Sequence, residues 1–90
     1  GNLAPHNLYT ITSGAEGGDP ADFVFGGVYT GTDATTITIT MDGQTRTATI
    51  VKPRFTASYV GFVLHWPANG TTPSGYYGLM AYDAQGKRIA

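Results

Sequence analysis

Residues 36–41 read Thr-Ile-Thr-Ile-Thr-Met, residues 44–50 read Gln-Thr-Arg-Thr-Ala-Thr-Ile, and Asp42-Gly43 stands between them. Alternation on both sides of a two-residue Asp-Gly turn is the strongest short-range hairpin signal a sequence carries. Pairing across the turn sets Met41 opposite Gln44, Ile39 opposite Arg46, Ile37 opposite Ala48 and Thr35 opposite Ile50. Opposed residues share a face. Ile37, Ile39, Ala48 and Ile50 therefore point one way, and Thr36, Thr38, Thr40, Thr45, Thr47 and Thr49 the other. A slip of one residue would set isoleucine against threonine and split the apolar face. The threonine face suits solvent, since the β-branch favours a strand and the hydroxyl stays wet. The turn end, with Gln44 and Arg46, is expected to project into water.

The rest of the chain reads as short strands between turn signals. Asn7 to Thr12 is a first strand and the glycine-rich Ser13 to Ala21 a loop. Asp22 to Thr30 is a second strand, with Phe23 and Phe25 on one face. Val28 has the wrong parity, and a bulge at Gly26-Gly27 would return it to the phenylalanine face. Pro53 ends the return strand of the hairpin. Phe55 to Trp66 is extended, with Val60, Phe62, Leu64 and Trp66 forming one core stripe. Pro67 to Gly75 is turn-forming. Tyr76 to Tyr82 is a strand, Asp83 to Gly86 a turn, and Lys87 to Ile89 a short last strand. No helical periodicity appears. The fold class is all-β. The expected architecture is one small antiparallel, immunoglobulin-like β-sandwich over residues 1–90, with a partly open β-barrel as the alternative.

A chain of 90 residues with no cysteine has neither a disulfide nor a zinc-thiolate framework to reinforce it. At this size folding buries only about 60–65% of the chain surface, so each large core residue carries a large share of the stability. A net charge of −1 argues against nucleic acid as a partner. No apolar run approaches the length needed to span a membrane. Lacking an initiator methionine and a signal segment, the sequence reads as a mature product or as a domain cut from a longer protein. Low charge with abundant Thr, Gly and Tyr suggests an extracytoplasmic setting.

From Thr36 onward the order of signals resembles small extracytoplasmic β-sandwich-type domains at the C-terminal end of actinobacterial secreted or membrane-anchored proteins. The residues that carry the resemblance are Ile37 to Asp42-Gly43, Thr45 to Ile50 with the small Ala48, Phe62 to Trp66-Pro67, and Ala81-Tyr82-Asp83-Ala84-Gln85-Gly86. The chain departs from that pattern at His65, where a second Trp or another apolar residue is expected. The resemblance implies an extracytoplasmic, secreted or cell-surface, non-catalytic domain. It brings no functional residues to this chain.

Chemical candidates are few. A catalytic triad needs nucleophile, base and orienting group in contact. His6 lies near the chain start and His65 in a strand. His65 with Asp83 is the one pairing that could act as a base, and an ordinary strand histidine is the plainer reading. Glu16, Asp19 and Asp22 recur every third residue in a glycine-rich loop, a weak calcium candidate against a solvated acidic loop. Asp42, Asp83 and Asp33 are expected to cap their own turns. Tyr9, Tyr76 and Tyr77 are weak candidates for stacking on sugar rings. Tyr77 has opposite parity to Tyr76 and Tyr82, so one set faces outward. Arg46, Lys52 and Arg54 form a small basic rim. Asn69-Gly70-Thr71 fits the glycosylation pattern, with no glycan expected. The expectation is no enzyme, no cofactor and no resident metal. Function is expected to be that of a structural or protein-interaction domain of a larger exported or membrane-anchored protein, with a protein or cell-envelope component as partner. The alternative is a carbohydrate-binding module of a secreted enzyme.

Overall fold

The computed structural model describes residues 4–18, 20–55 and 58–90. Among the described residues seven strands run in chain order: β1 (Leu8–Glu16), β2 (Asp22–Tyr29), β3 (Thr36–Met41), β4 (Gln44–Thr47), β5 (Thr49–Val51), β6 (Val60–Trp66) and β7 (Tyr77–Tyr82). They form two antiparallel sheets, β1-β2-β6-β5 and β4-β3-β7. Lettered A, B, C, C′, D, E and F, the strands make ABED packed on C′CF, the order of an immunoglobulin-like sandwich. The place of a last strand is taken by a single bridge, Tyr82 to Arg88, rather than the strand expected over Lys87 to Ile89. The Asp83 turn feeds that bridge, with Gly86 N–H donating to Asp83 O at 3.0 Å. Among the described residues no helix is long and apolar enough to cross a membrane.

The hairpin register is as the sequence predicts near the turn. Met41 faces Gln44, Ile39 faces Arg46 and Thr38 faces Thr47. Asp42 and Gly43 take φ of 54° and 77°, the left-handed pair that matches strand twist in a two-residue loop. Ala48 N–H still donates to Ile37 O at 2.8 Å. Beyond it the register ends. Thr49, Ile50 and Val51 pair with Val63, Phe62 and Gly61 in the other sheet, and Thr35 N–H goes to Tyr82 O instead of facing Ile50. The chain switches sheets at Ala48. A small residue suits the bend, because both sheets converge on it and it is buried. Thr49 therefore leaves the threonine face.

Two further expectations change. β1 runs on to Glu16, through residues expected to be loop, because β2 continues to offer partners from Gly26 to Asp22. The bulge sits on β1 at Ile11, between Thr10 and Thr12, and not at Gly26-Gly27. Parity in β2 is thus unbroken: Phe23, Phe25 and Tyr29 are buried, and Val28 stays on the outer face. Gly27 lies on the core side among them, directly across from Phe62. A Cβ there would sit 2.6 Å from the Phe62 ring. The missing side chain is the space the Phe62 ring uses.

The core joins Phe23, Phe25 and Tyr29 to Ile37, Ile39 and Met41 across the sandwich, with Val60, Phe62 and Trp66 from β6. The stripe predicted in β6 is present, with Leu64 half-buried. Tyr77, Leu79 and Ala81 make the inward side of β7, with Tyr77 edge-on to Phe25 at 4.8 Å between centroids. Tyr76 is exposed. The outward tyrosine set is thus the one without Tyr77. The threonines of β3 and β4 face away from the core, and Thr40 and Thr45 hydroxyls meet at 2.8 Å.

Candidate functional site

Chemistry gathers where the start of β2, the end of β6 and the β3–β4 turn meet. Three hydrogen bonds bolt the 67–75 loop to this end. Ala68 N–H donates to Asp22 Oδ1 at 2.9 Å, Ala21 N–H to Thr72 Oγ1 at 3.0 Å, and Ser74 N–H to Asp42 Oδ2 at 3.0 Å. Within the loop Thr71 N–H returns to Ala68 O at 3.0 Å, and Asn69 and Gly70 take φ of 44° and 91°. That is the same left-handed two-residue turn as Asp42-Gly43, and asparagine tolerates it because its side chain is short and polar. The glycosylation triplet thus builds a tight turn.

Under this loop lies Trp66, buried at 4% exposure, with the Arg46 guanidinium carbon 4.7 Å from its ring centroid. Arg46 does not simply project into water as expected. Its partner across β3 is Ile39, so its stem leaves the sheet on the core side and its charged head covers the indole at the rim. The indole face attracts a cation, and the stack also keeps water off the core. Between the loop and the hairpin turn runs an open groove of about 210 Å³ with Asp42, Gln44, Arg46, Trp66, Asn69 and Thr71 on its walls.

His65 finds a carboxylate, but not the expected one. Its Nε2 is 2.7 Å from Asp22 Oδ2, on the exposed side of the sheet. Asp83 is occupied by its own turn, accepting from Gln85 and Lys87 N–H at 3.0 and 2.9 Å. β2 and β6 are neighbours with Val24 opposite His65, which carries Asp22 into reach; nothing in the sequence says that these strands are adjacent. Among the described residues, the side chain bonded to the His65 ring is that of Asp22. The Ala68 amide first, and His65 second, hold the Asp22 carboxyl below its ordinary 3.8. Ser74, through its side chain and its amide, does the same for Asp42.

These two carboxylates give the domain an acid-sensitive end. A group held below its unfolded pKa stabilises the fold above that value, and the contribution is lost as pH falls through the lower folded pKa. The melting temperature should fall as pH drops from about 4 toward 2, and the 67–75 loop should loosen first. In Asp22→Asn/Asp42→Asn this slope should flatten, while the pH 7 melting temperature falls. Calorimetry from pH 2 to 7 checks it; an unchanged slope in the double variant would mean other carboxylates govern acid stability.

The remaining candidates are dispersed. Glu16 and Asp22 are the closing pair of β1 and β2, but Asp22 turns to His65 and Ala68; Asp19 lies outside the described residues. No group of three metal-ligating side chains occurs among the described residues. Tyr9 accepts at its hydroxyl from Ala4 N–H at 3.1 Å, Tyr77 is packed on Phe25, and Tyr76 is exposed. Tyr77 thus turns its ring to the core side, whereas Tyr76 is exposed. Lys52 and Arg54 are exposed and Arg46 alone of the basic rim covers the core. Asp33 leaves its turn role to accept from the buried Tyr29 hydroxyl at 2.8 Å, and His6 Nδ1 meets the same hydroxyl at 3.1 Å. Burial first and Asp33 second push the Tyr29 pKa up to about 12. This cluster ties His6 to the 29–33 turn. Compared with known protein families, characterised proteins and solved structures, the chain finds no match.

Proposed function

We propose that this is a non-catalytic, extracytoplasmic interaction domain of a larger exported or membrane-anchored protein, and that it takes a protein partner along the free edge of β1. The edge is the observation that carries the reading. Sheet edges are templates for further pairing, and proteins blunt the ones they do not use. β4 and β5 are short, with four and three residues, and Arg46, Lys52 and Pro53 lie in or beside them. The outer side of β7 is partly covered by the chain end, where Ala81 N–H donates to Ala90 O and Ile89 N–H to Ala81 O. β1 is nine residues long and Glu16 is its one charge. β2 is its one strand partner among the described residues.

Ile11 stands on this edge at 72% exposure, pushed out by the bulge. An extended partner segment adding to β1 would bond its backbone and cover Ile11, the mode in which main-chain bonds supply affinity and side-chain contacts supply choice. The composition and the likeness to actinobacterial extracytoplasmic domains support the location. The packing of Tyr77 against Phe25 favours this reading over a sugar-stacking module.

The test is a photo-crosslinking amino acid at Thr12, and separately at Thr47 on the threonine face, in the full-length protein in its own cells. One discrete adduct at Thr12, absent at Thr47 and lost when Ile11→Lys adds a charge to the edge, is the expected result. No adduct at Thr12, or the same adducts at both positions, would sink the reading.

A further inference from the structure

The groove between the 67–75 loop and the Asp42-Gly43 turn does not use β1, and it has the features of a binding site in its own right. The Arg46 guanidinium carbon lies over the Trp66 ring, 4.7 Å from its centroid. Its one described hydrogen bond, to Gln44 Oε1, is long at 3.5 Å, and no carboxylate pairs with it among the described residues. A guanidinium carries five N–H donors in a fixed fork that matches a carboxylate two bonds at a time. Covering an indole requires none of them. Contact with the indole restricts where the fork can go before a ligand arrives, which lowers the ordering cost of binding. Lysine would offer a point charge without the fork.

Lining the same groove of about 210 Å³ are Gln44, next to Arg46 on β4, and Asp42, Asn69 and Thr71 from the two turns. Both turns that carry Asp42 and Asn69 are locked, by Ser74 N–H on Asp42 and by the Ala68–Thr71 bond. Asp42 is an acceptor with capacity beyond its Ser74 bonds, while the two amides and the hydroxyl both donate and accept. The groove is therefore balanced in charge, with a carboxylate-binding fork on one side and partners for neutral O–H groups on the other. A simple anion would meet Asp42 unscreened. A neutral sugar would leave the fork unused, and the indole face it would stack on is already taken by Arg46.

We infer that this groove binds a uronic-acid unit, a sugar ring whose carboxylate meets Arg46 and whose hydroxyls donate to Asp42 and exchange bonds with Gln44, Asn69 and Thr71. The volume suits one ring. A single ring in an open groove should bind with a Kd of order 1 mM. Acidic envelope or matrix polysaccharides that repeat the unit would gain by multivalency.

Nuclear magnetic resonance titration of the ¹⁵N-labelled domain with sodium glucuronate, glucose and N-acetyl-L-glutamate tests this. Expected are saturable shifts confined to residues 42–46 and 66–74 with glucuronate, and binding of the other two weaker by about tenfold or more, since each meets only half of the groove. Arg46→Lys keeps the charge and should lose about tenfold in affinity with its spectrum otherwise preserved. The mapping on the unaltered protein stands even if a variant folds poorly. No shift with glucuronate at about 20 mM, well above the expected Kd, overturns the inference. Equal binding of N-acetyl-L-glutamate also overturns it, because the groove would then read an acidic peptide side chain. Shifts confined to β1 would place the sugar elsewhere and overturn it too.

Discussion

Trp66→Ala should leave the domain mostly unfolded at physiological temperature. Trp66 is 4% exposed, pairs with Phe23 across β2 and β6, and meets Phe25 edge-on at 6.4 Å between centroids. Deleting a buried indole costs about 3–5 kcal/mol, through lost transfer free energy and the cavity left behind. Domains of this size hold only about 5–15 kcal/mol in total. The melting temperature should therefore drop by roughly 12–40 °C, at some 4–8 °C per kcal/mol. Arg46 would lose its stacking partner at the same time, so the groove would be disordered with the core. Trp66→Phe should keep most of the stability, because an aromatic ring remains under the guanidinium. Thermal unfolding followed by circular dichroism checks both. A soluble Trp66→Ala protein with an unchanged melting temperature would show that the indole is not part of the core.

Gly27→Ala should destabilise the domain as well, for the opposite reason. A Cβ at this position would collide with the backbone oxygen of Tyr9 and lie 2.6 Å from the Phe62 ring. The ring can turn only against other core side chains, and the carbonyl belongs to β1 and cannot turn at all. Overpacking of this kind costs about 1–3 kcal/mol, and a collision with backbone lies at the upper end. β1 would have to lift from β2 near its bulge. Gly14→Ala and Gly78→Ala are the matched controls, since a Cβ at either meets nothing within 4 Å and neither has a left-handed φ. Both should lie within about 0.5 kcal/mol of the parent, with a small gain from a stiffer unfolded chain. Urea unfolding of the three variants separates close packing at Gly27 from a general intolerance of alanine. If Gly27→Ala were as stable as the controls, the seating of Phe62 over Gly27 would be wrong.

Local pattern alone determined a good part of this protein. The Asp-Gly turn and the alternation around it fix the β3–β4 register down to single pairs, because a two-residue loop admits one twist and a one-residue slip exposes every isoleucine. The odd–even stripe in β6 buries Trp66 for the same reason, and the Asp83 turn caps itself through bonds that span only a few residues. Each of these is decided by neighbours along the chain, so each was legible in the sequence.

What the sequence left open depends on which strands lie side by side. Ala48 reads as a continuing strand until a second sheet supplies β6 as a better partner for Thr49 to Val51. The glycines of residues 13–18 read as loop, yet β1 persists to Glu16 because β2 holds out partners for it. The bulge moves from Gly26-Gly27 to Ile11 because Phe62 needs the space above Gly27, a demand from a residue far along the chain. His65 could be matched with any carboxylate until β2 was set beside β6. Arg46 reads as a solvent residue until Trp66 arrives beneath it from the other sheet. The groove and the open β1 edge are likewise products of strand order. Non-local pairing decides them, and alternation and turn chemistry are blind to it.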